Sequence, residues 1–595
     1  MRKLVSGLTD FDTDILPLQL QAAAVSEAQP ELNQFRLLVR HLLDRFFNNE
    51  MVTVGGETLP LIMTIAGVIA VPTLIAAIFA YPPYHAFPPR PPVPPFWDRT
   101  AEHLLYVVYS LVAMGAVTVF EADMLFPNLL DILVLSTLPI PHRRLVMARV
   151  TATLLFLGLF LFGVNSLGVV AYPSATEFHV PRLMWAHLVA VTAAGAFAAA
   201  VFLALQGLLI CLLSGRMYRA ASVVLQGVSI AVLLTMLLLF PAIYPRLGAL
   251  IQSAGALPHY FPPFWFLGIY ECVLAGSERL PIFAALAHTG WYALSAAILV
   301  AVVTYPLAYV RRTRQAVEGV RSESTTKGLS RPVNWLLHST ILRTPARRAI
   351  YHFIGQTVRT PRHRVYLAMY AGLGVALMIA ATVGIRVGQG HVEVVLSAYG
   401  LRLAVPGLAF WVVSGLYSAL LSPADPSGGW VFRVIDGKAT PAQLDAVRLW
   451  VKVWALAVTL GIVVLLHSIA GPPLRSMVVL TSQMIVATSV CVLLPEILLF
   501  NSQGIPFTEA RIPLNTDLAF VVLRYVALFP VVVALAANCE QWIEQRPAHI
   551  FAAAIVIALG HEVLRYVQRQ LMAERMTRPE VYEPGGVIQA LGLRE

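Results

Sequence analysis

Two acidic residues separated by one position, Glu121 and Asp123, are the clearest candidates for metal chemistry. Carboxylate oxygens are preferred ligands of divalent cations, and acidic pairs occur at the membrane surface in polytopic enzymes that act on lipid-linked sugars. This pair follows an apolar run at a position expected to face the cytoplasm, whereas those enzymes usually hold their acids in the first external loop. We therefore favour a helix-capping or subunit-contact role and predict no metal site.

Four charged residues lie inside long apolar runs: Lys452, Glu496, Arg524 and Glu562. A charge in hydrocarbon is costly unless it faces a cavity or a partner, so such residues are functional candidates. Three of them stand near run ends, where a long side chain can reach the headgroups, but Arg524 lies deeper. We predict an ion pair from Arg524 to Glu496 or Glu562. A proton relay would need more buried acids than the chain provides.

The motifs of nucleotide and metal enzymes do not occur in the sequence. No G-x-x-x-x-G-K-[ST] loop exists, and the nearest string, Gly437-Lys438-Ala439-Thr440, has Phe432 where the first glycine is needed. The histidines form no H-E-x-x-H or H-x-x-x-H pair, and the 4 cysteines lack the spacing of a zinc site. We therefore predict no catalytic residues, no bound cofactor and no metal in this chain.

The composition places the chain in a membrane. Of its 595 residues 58% are hydrophobic and 12% charged, with a mean hydropathy of +0.73, whereas soluble domains carry about 25% charged residues. A spanning helix needs about 20 apolar residues, and the sequence predicts twelve. Their approximate ranges are 58–80, 101–120, 145–172, 184–213, 221–244, 282–310, 366–386, 399–421, 449–469, 476–500, 517–537 and 548–568. The predicted fold is an all-α polytopic membrane protein.

Basic residues predict the orientation of these spans. Most of the 42 lysines and arginines lie in segments that are cytoplasmic if the N-terminus is cytoplasmic, and the positive-inside rule then places both termini there. The segment 311–365 is the most basic. Because spans flank it on both sides, its charge indicates contact with lipid headgroups and not with nucleic acid.

The sequence divides into two halves with the same plan. The predicted domains are a cytoplasmic segment 1–57, a six-helix half 58–310, a basic linker 311–365, a second six-helix half 366–568 and a cytoplasmic tail 569–595. An amphipathic stretch precedes each half, at 35–47 and 349–359, and suits a helix lying in the headgroup layer. A mixed cytoplasmic segment follows the second span of each half, at 121–144 and 422–447. Internal duplication of this kind is common in transporters.

These features resemble the permease subunits of ABC-2-type exporters. The resemblance is carried by the interfacial helix before the first span, by Asp131, Leu135, Leu138 and Pro139 followed by His142-Arg143-Arg144, and by the aromatic external segment 261–276 before the sixth span. It covers the first half best, because the connection between spans eleven and twelve is too short for such a segment.

The resemblance implies two fused six-helix halves in a bacterial inner membrane, with a separately encoded ATPase bound in two copies per chain. The substrate is unidentified, and a lipidic or hydrophobic one is compatible. The expected ATPase contacts are Glu121, Asp123, Asp131, Pro139, Arg143, Arg144, Trp430, Phe432 and Arg433. The alternatives are a membrane enzyme, a secondary transporter, or a structural subunit of a membrane complex.

Overall fold

The structure of the chain is a computed structural model. It describes residues 31–47, 70–81, 95–127, 135, 139–176, 180–252, 257–276, 280–319, 342–388, 391–421, 440–469, 476–500, 507, 517–546 and 548–577.

The described part of the first half is helical. Its helices are α1 Glu31–Phe47, α2 Ala70–Tyr81, α3 Phe96–Phe120, α4 Ala122–Leu125, α5 His142–Thr176, α6 Val180–Leu212, α7 Gly215–Leu238, α8 Phe240–Ile243, α9 Leu247–Gln252, α10 Leu257–Tyr260, α11 Pro262–Ala275 and α12 Pro281–Gly319. A short 3₁₀ turn, Tyr244–Arg246, joins α8 to α9.

The described part of the second half is helical apart from one hairpin. Its elements are α13 Pro345–Thr357, α14 Pro361–Thr382, β1 Val383–Gly388, β2 His391–Leu396, α15 Ala398–Leu421, α16 Pro441–Ile469, α17 Met477–Leu498, α18 Asp517–Gln545 and α19 Ala548–Thr577.

Ten of the described helices are long and apolar enough to cross a membrane. They match predicted spans two to ten and twelve, while α2 and α18 fall on spans one and eleven. Their outer surfaces expose large apolar side chains such as Phe162, Leu299 and Phe551, as expected of helices that face lipid. The chain is therefore an all-α multi-pass membrane protein, as the composition predicts.

The hairpin β1–β2 shortens the seventh predicted span, which we expected to continue to residue 386. Helix α14 ends at Thr382, and Val383 pairs with Leu396 at the start of an antiparallel ladder. Alternating β-branched residues favour a strand here, and Arg386 stands opposite Glu393 in the register. An apolar run alone does not distinguish a buried helix end from a strand.

The two halves pack in the same order. The second span of each half, α3 or α15, has the largest buried share of its apolar window, 67% and 78%. Each packs against the next three spans, α3 against α5, α6 and α7, and α15 against α16, α17 and α18. The interfacial helix of each half packs on the third span, α1 on α5 and α13 on α16. Each half has its own apolar core.

The halves meet where α7 packs along α14. Two glycines allow this close approach, because a Cβ on Gly372 would lie 2.7 Å from the carbonyl oxygen of Gly227. Small residues at a helix crossing are a common way to join spans in a membrane.

Helix α11 has no counterpart among the described residues of the second half. It is a 14-residue apolar helix that packs against α3, α6 and α12, and it lies in the aromatic segment that we expected between spans five and six. In the second half only Arg546 and Pro547 separate α18 from α19. For reference, we call the end of the bundle at Phe120 and Leu421 the inner end, after the predicted orientation, and the opposite end the outer end.

Candidate functional site

A cavity of about 570 Å³ lies at the inner end of the second half. Helices α13, α14, α15 and α16 enclose it, and its walls include Tyr370, Trp411, Leu416, Trp450 and Trp454. This volume is in the range of small-molecule sites, and an apolar wall with few polar groups is typical of them.

Two glycines shape this inner cavity. A Cβ on Gly355 of α13 would meet no atom within 4 Å, so that side of the cavity is open. A Cβ on Gly415 of α15 would lie 2.7 Å from the Cβ of Tyr370, so its absence lets Tyr370 rest directly on α15. The cavity is thus open at one glycine and closely packed at the other.

The polar groups of the inner cavity gather where α13 ends. Exposed His352 and Arg359 line it there, beside Tyr351. Burial raises the pKa of the Tyr351 phenol, so this group is neutral at pH 7. Arg359 therefore supplies the permanent charge of the lining. Deeper inside, the indole Nε1 of Trp411 is buried and has no hydrogen-bond acceptor among the described residues.

A second cavity, of about 260 Å³, lies at the outer end of the same half. It is formed by the start of α15 and by the second part of α18, with Arg402, Phe529, Asn538 and Gln541 in its wall. Arg402 donates a hydrogen bond of 2.6 Å to Glu544, so its charge is compensated within the half.

A group of aromatic side chains lies between the two cavities. Trp411 lines the inner cavity and Phe529 the outer one, and their ring centroids are 5.5 Å apart. Phe410 contacts Phe529 at 5.2 Å and Tyr525 contacts Trp411 at 5.9 Å. Ser418 joins Tyr525 to Tyr370 through hydroxyl contacts of 3.2 and 2.8 Å. The wall of the inner cavity therefore contacts the wall of the outer cavity through the rings of Trp411 and Phe529.

Glu496 is the centre of a buried ionic network at the inner end of the second half. Its carboxylate pairs with Lys452, lies 3.4 Å from Arg448 Nε and lies 3.6 Å from His561 Nδ1. Asp445 in turn lies 3.4 Å from both Arg448 and Arg565. Glu496 is fully buried. The charges of Glu496 and Lys452 are therefore compensated by this ion pair inside the protein, and the expectation that both side chains extend to the lipid headgroups is wrong.

The other two charges predicted within spans stay outside this network. The Glu562 side chain is exposed on α19, where it can reach the headgroups. Arg524 lies on α18, but its side chain is outside the described residues, so its predicted ion pair stays a prediction. The described partners of Glu496 come instead from α16 and α19.

A buried polar cluster occupies the outer end of the first half. His103 Nδ1 of α3 lies 2.7 Å from Glu271 Oε1 of α11, and the His103 ring stacks on Tyr270 at 4.1 Å. The Tyr270 hydroxyl in turn lies 3.2 Å from His187 Nδ1 of α6. All of these residues are buried, and the cluster leaves α11 fixed against two spans.

Buried side chains of two other spans donate hydrogen bonds to the segment that follows the second span of the first half. Glu121 ends α3, and the short helix α4 follows directly. Arg149 of α5 donates hydrogen bonds to the carbonyls of Met124 and, at 3.2 Å, Phe126. The Tyr305 hydroxyl of α12 donates one of 2.7 Å to Leu125. The turn after α3 is thus connected to two further spans.

Only part of the predicted ATPase contact set lies in the described structure. Pro139 and Arg143 are exposed, Arg144 is half-buried at the start of α5, and Glu121 is half-buried. The side chain of Asp123 lies outside the described residues, as do Asp131, Trp430, Phe432 and Arg433. Of the predicted contact set, Glu121, Pro139, Arg143 and Arg144 therefore lie at the inner end of the first half, and their contact with an ATPase stays a prediction.

The sequence reasoning missed several residues of these sites. Arg149 stands inside the third predicted span, and that position alone marks it as a candidate. Arg448 stands just before the ninth, where it reads as a flanking charge. The contact of His103 with Glu271 joins residues 168 positions apart, and no local pattern predicts it.

Among the described residues, no three His, Cys, Asp or Glu side chains are grouped as a metal ion would require. No family model, curated protein or solved structure matches the chain.

Proposed function

We propose that the chain is the permease subunit of an ABC-type exporter in a bacterial inner membrane, and that its second half carries the substrate path. The observation that carries the proposal is the pair of cavities at opposite ends of α15, with Trp411 and Phe529 between them. A rearrangement of α15 and α18 at this aromatic contact would open one cavity to the other. An alternating-access transporter exposes its substrate site first to one side of the membrane and then to the other, so a barrier must lie between the inner and outer openings.

The packing of the first half supports movement of its transmembrane helices by a partner bound at the inner surface. Arg149 and Tyr305 tie the turn Glu121–Phe126 to α5 and α12, so a displacement of that turn would move two long helices together. The sequence has no P-loop of its own. Two copies of a separate ATPase, pressing on the inner ends of the two halves, would supply the displacement.

Cysteine accessibility tests this proposal without knowledge of the substrate. In a chain whose four native cysteines are replaced, Gly355→Cys reports on the inner cavity and Asn538→Cys on the outer one. In membrane vesicles from the native host, we expect an impermeant maleimide to reach Gly355→Cys only from the inner face and Asn538→Cys only from the outer face. ATP should change both rates, because the two cavities would open alternately.

The control is Gln356→Cys, an exposed neighbour of Gly355 on α13 that lines neither cavity. Its labelling should not respond to ATP. Labelling of both reporters from one face, or rates that ATP leaves unchanged, would contradict the proposed transport function.

A further inference from the structure

The inner cavity of the second half combines an apolar interior with a basic rim. We propose that it holds an acyl chain of an anionic phospholipid taken from the inner leaflet, with the headgroup phosphate at Arg359. This inference rests on the proposed function and deepens it, because it names an anionic membrane lipid as the class of substrate.

The interior suits a hydrocarbon chain. Three tryptophans and Tyr370 form much of the wall, and Gly355 leaves the side toward α13 unobstructed. Because α13 is an amphipathic helix before a span, with Ile350 and Ile354 buried, it lies at headgroup depth. A lipid tail can therefore enter beside α13 from the leaflet without crossing water.

The rim has the charge that complements a phosphate. Residues 342–372 include Arg343, Arg347, Arg348, Arg359, Arg362 and Arg364 and contain no aspartate or glutamate. Arg359 lines the cavity itself, and a guanidinium suits bidentate contact with phosphate oxygens. The nearest acid along α16, Asp445, is paired with Arg448 and Arg565, so no described acid on these elements opposes the charge of the rim.

The third observation lies inside the cavity. The Trp411 indole N–H is buried and has no acceptor among the described residues, and a buried donor without a partner is costly. A phospholipid carries ester carbonyls between its headgroup and its tails. An ester oxygen reaching Trp411 would satisfy this donor, whereas an alkane or a sterol ring would not.

Photolabelling of the purified full-length chain tests the inference. The chain, without any ATPase, is placed in nanodiscs of dioleoylphosphatidylcholine that contain a trace of phosphatidylglycerol with a diazirine on one acyl chain. A phosphatidylcholine with the same diazirine chain is the comparison probe. We expect adducts on peptides containing Trp411 and Trp454, about fivefold more from the anionic probe, because one arginine near the surface contributes about 1 kcal/mol.

Two variants separate the tail site from the headgroup site. Gly355→Leu fills the open side and should lower cavity adducts several-fold, whereas Gly461→Leu, the same change on the lipid-facing side of α16, should not. Arg359→Gln should bring the two probes to equal labelling, whereas Arg36→Gln, at an exposed position of α1, should leave the preference unchanged.

Cavity adducts that Gly355→Leu does not reduce would overturn the tail site. Equal labelling of the wild-type chain by both probes would overturn the anionic preference, and stronger labelling by the phosphatidylcholine probe would select a neutral lipid as the occupant. Because the measurement uses neither ATP nor a partner, either failure leaves the accessibility test of the permease proposal to be decided separately.

Discussion

The helices of the two halves pack in the same order, but the halves differ in which side chains and helices occupy the inner and outer ends of the bundle. At the outer end, the first half inserts α11 and fixes it through His103 and Glu271, whereas the second half passes from α18 to α19 with two intervening residues. At the inner end, Phe46 of α1 stacks on Phe156 of α5 at 4.8 Å. The corresponding region under α13 is a cavity.

Helical spacing explains the difference at the inner end. The buried positions of α1 are Leu38, Leu42 and Phe46, and those of α13 are Ile350 and Ile354, with Val358 one turn later. Val358 therefore stands where α1 has a phenylalanine, and it lines the cavity. One plan thus yields an aromatic contact under α1 and a cavity under α13, because Phe46 of the first half corresponds to the smaller Val358 of the second.

The inner ends also differ in how they compensate a buried arginine. Arg149 and Arg448 each stand seven positions after the first residue of the third span of their half, α5 and α16, and each is 5% exposed. Backbone carbonyls accept from Arg149. Arg448 also donates to a backbone carbonyl, that of Leu499 at 3.4 Å, but it lies in addition beside the carboxylates of Glu496 and Asp445. The second half therefore adds a buried carboxylate pairing to the backbone hydrogen bonds of its arginine.

This contrast predicts its largest effect at Glu496. Glu496→Leu leaves Lys452 and Arg448 without that buried counter-charge, and breaking such a pair costs about 3–5 kcal/mol. Thermal unfolding in detergent should show the loss, and Lys452→Met added to Glu496→Leu should recover much of it. Asp44→Leu, at a solvent-accessible ion pair with Arg40 on α1 of the first half, should cost less than about 1 kcal/mol. Equal effects of Glu496→Leu and Asp44→Leu would contradict the difference between the halves.

The next effect concerns the helix that fills the outer end of the first half. A Cβ on Gly268 of α11 would lie 2.7 Å from the backbone nitrogen of Ala287. Gly268→Val should therefore push α11 away from α12 and lower the free energy of unfolding by about 1–3 kcal/mol. Gly158→Val is the control, because a Cβ there would meet no atom within 4 Å. Equal unfolding temperatures for the two variants would show that α11 is not tightly seated.

A smaller effect tests the connection between the inner turn and α12. Tyr305→Phe removes the hydrogen bond to the Leu125 carbonyl, which should cost about 1 kcal/mol and speed amide hydrogen exchange in residues 122–127. Tyr292→Phe, at an exposed tyrosine of the same helix, should change neither quantity. Unchanged exchange in Tyr305→Phe would mean that this hydrogen bond does not hold the turn.

The smallest effect is a gain in stability. Gly355→Ala should raise the free energy of unfolding by about 0.5–1 kcal/mol, because alanine favours a helix and its methyl group enters open space. Gly415→Ala should lower it, because its Cβ would lie 2.7 Å from that of Tyr370. Stability changes of the same sign in both variants would contradict the cavity shape described here.

The features that the sequence predicts correctly are those that depend on the composition of one continuous segment. Apolar run length gives the spans, and the spacing of Leu38, Leu42 and Phe46 gives an amphipathic helix before the first of them. The contact of His103 with Glu271 depends on how α11 folds back, and the hairpin after Thr382 replaces the end of an apolar run. Cavities depend on the size of side chains from four helices, such as Gly355 and Val358, that only packing brings together.

A cryo-EM map of the full-length chain in nanodiscs containing phosphatidylglycerol tests the difference between the halves most directly. We expect elongated density between α13 and α16 beside Trp411, ending at Arg359, and direct contact of Phe46 with Phe156 in the corresponding region of the first half. Side chains that fill the cavity of the second half, or equal lipid density under α1 and α13, would contradict the account.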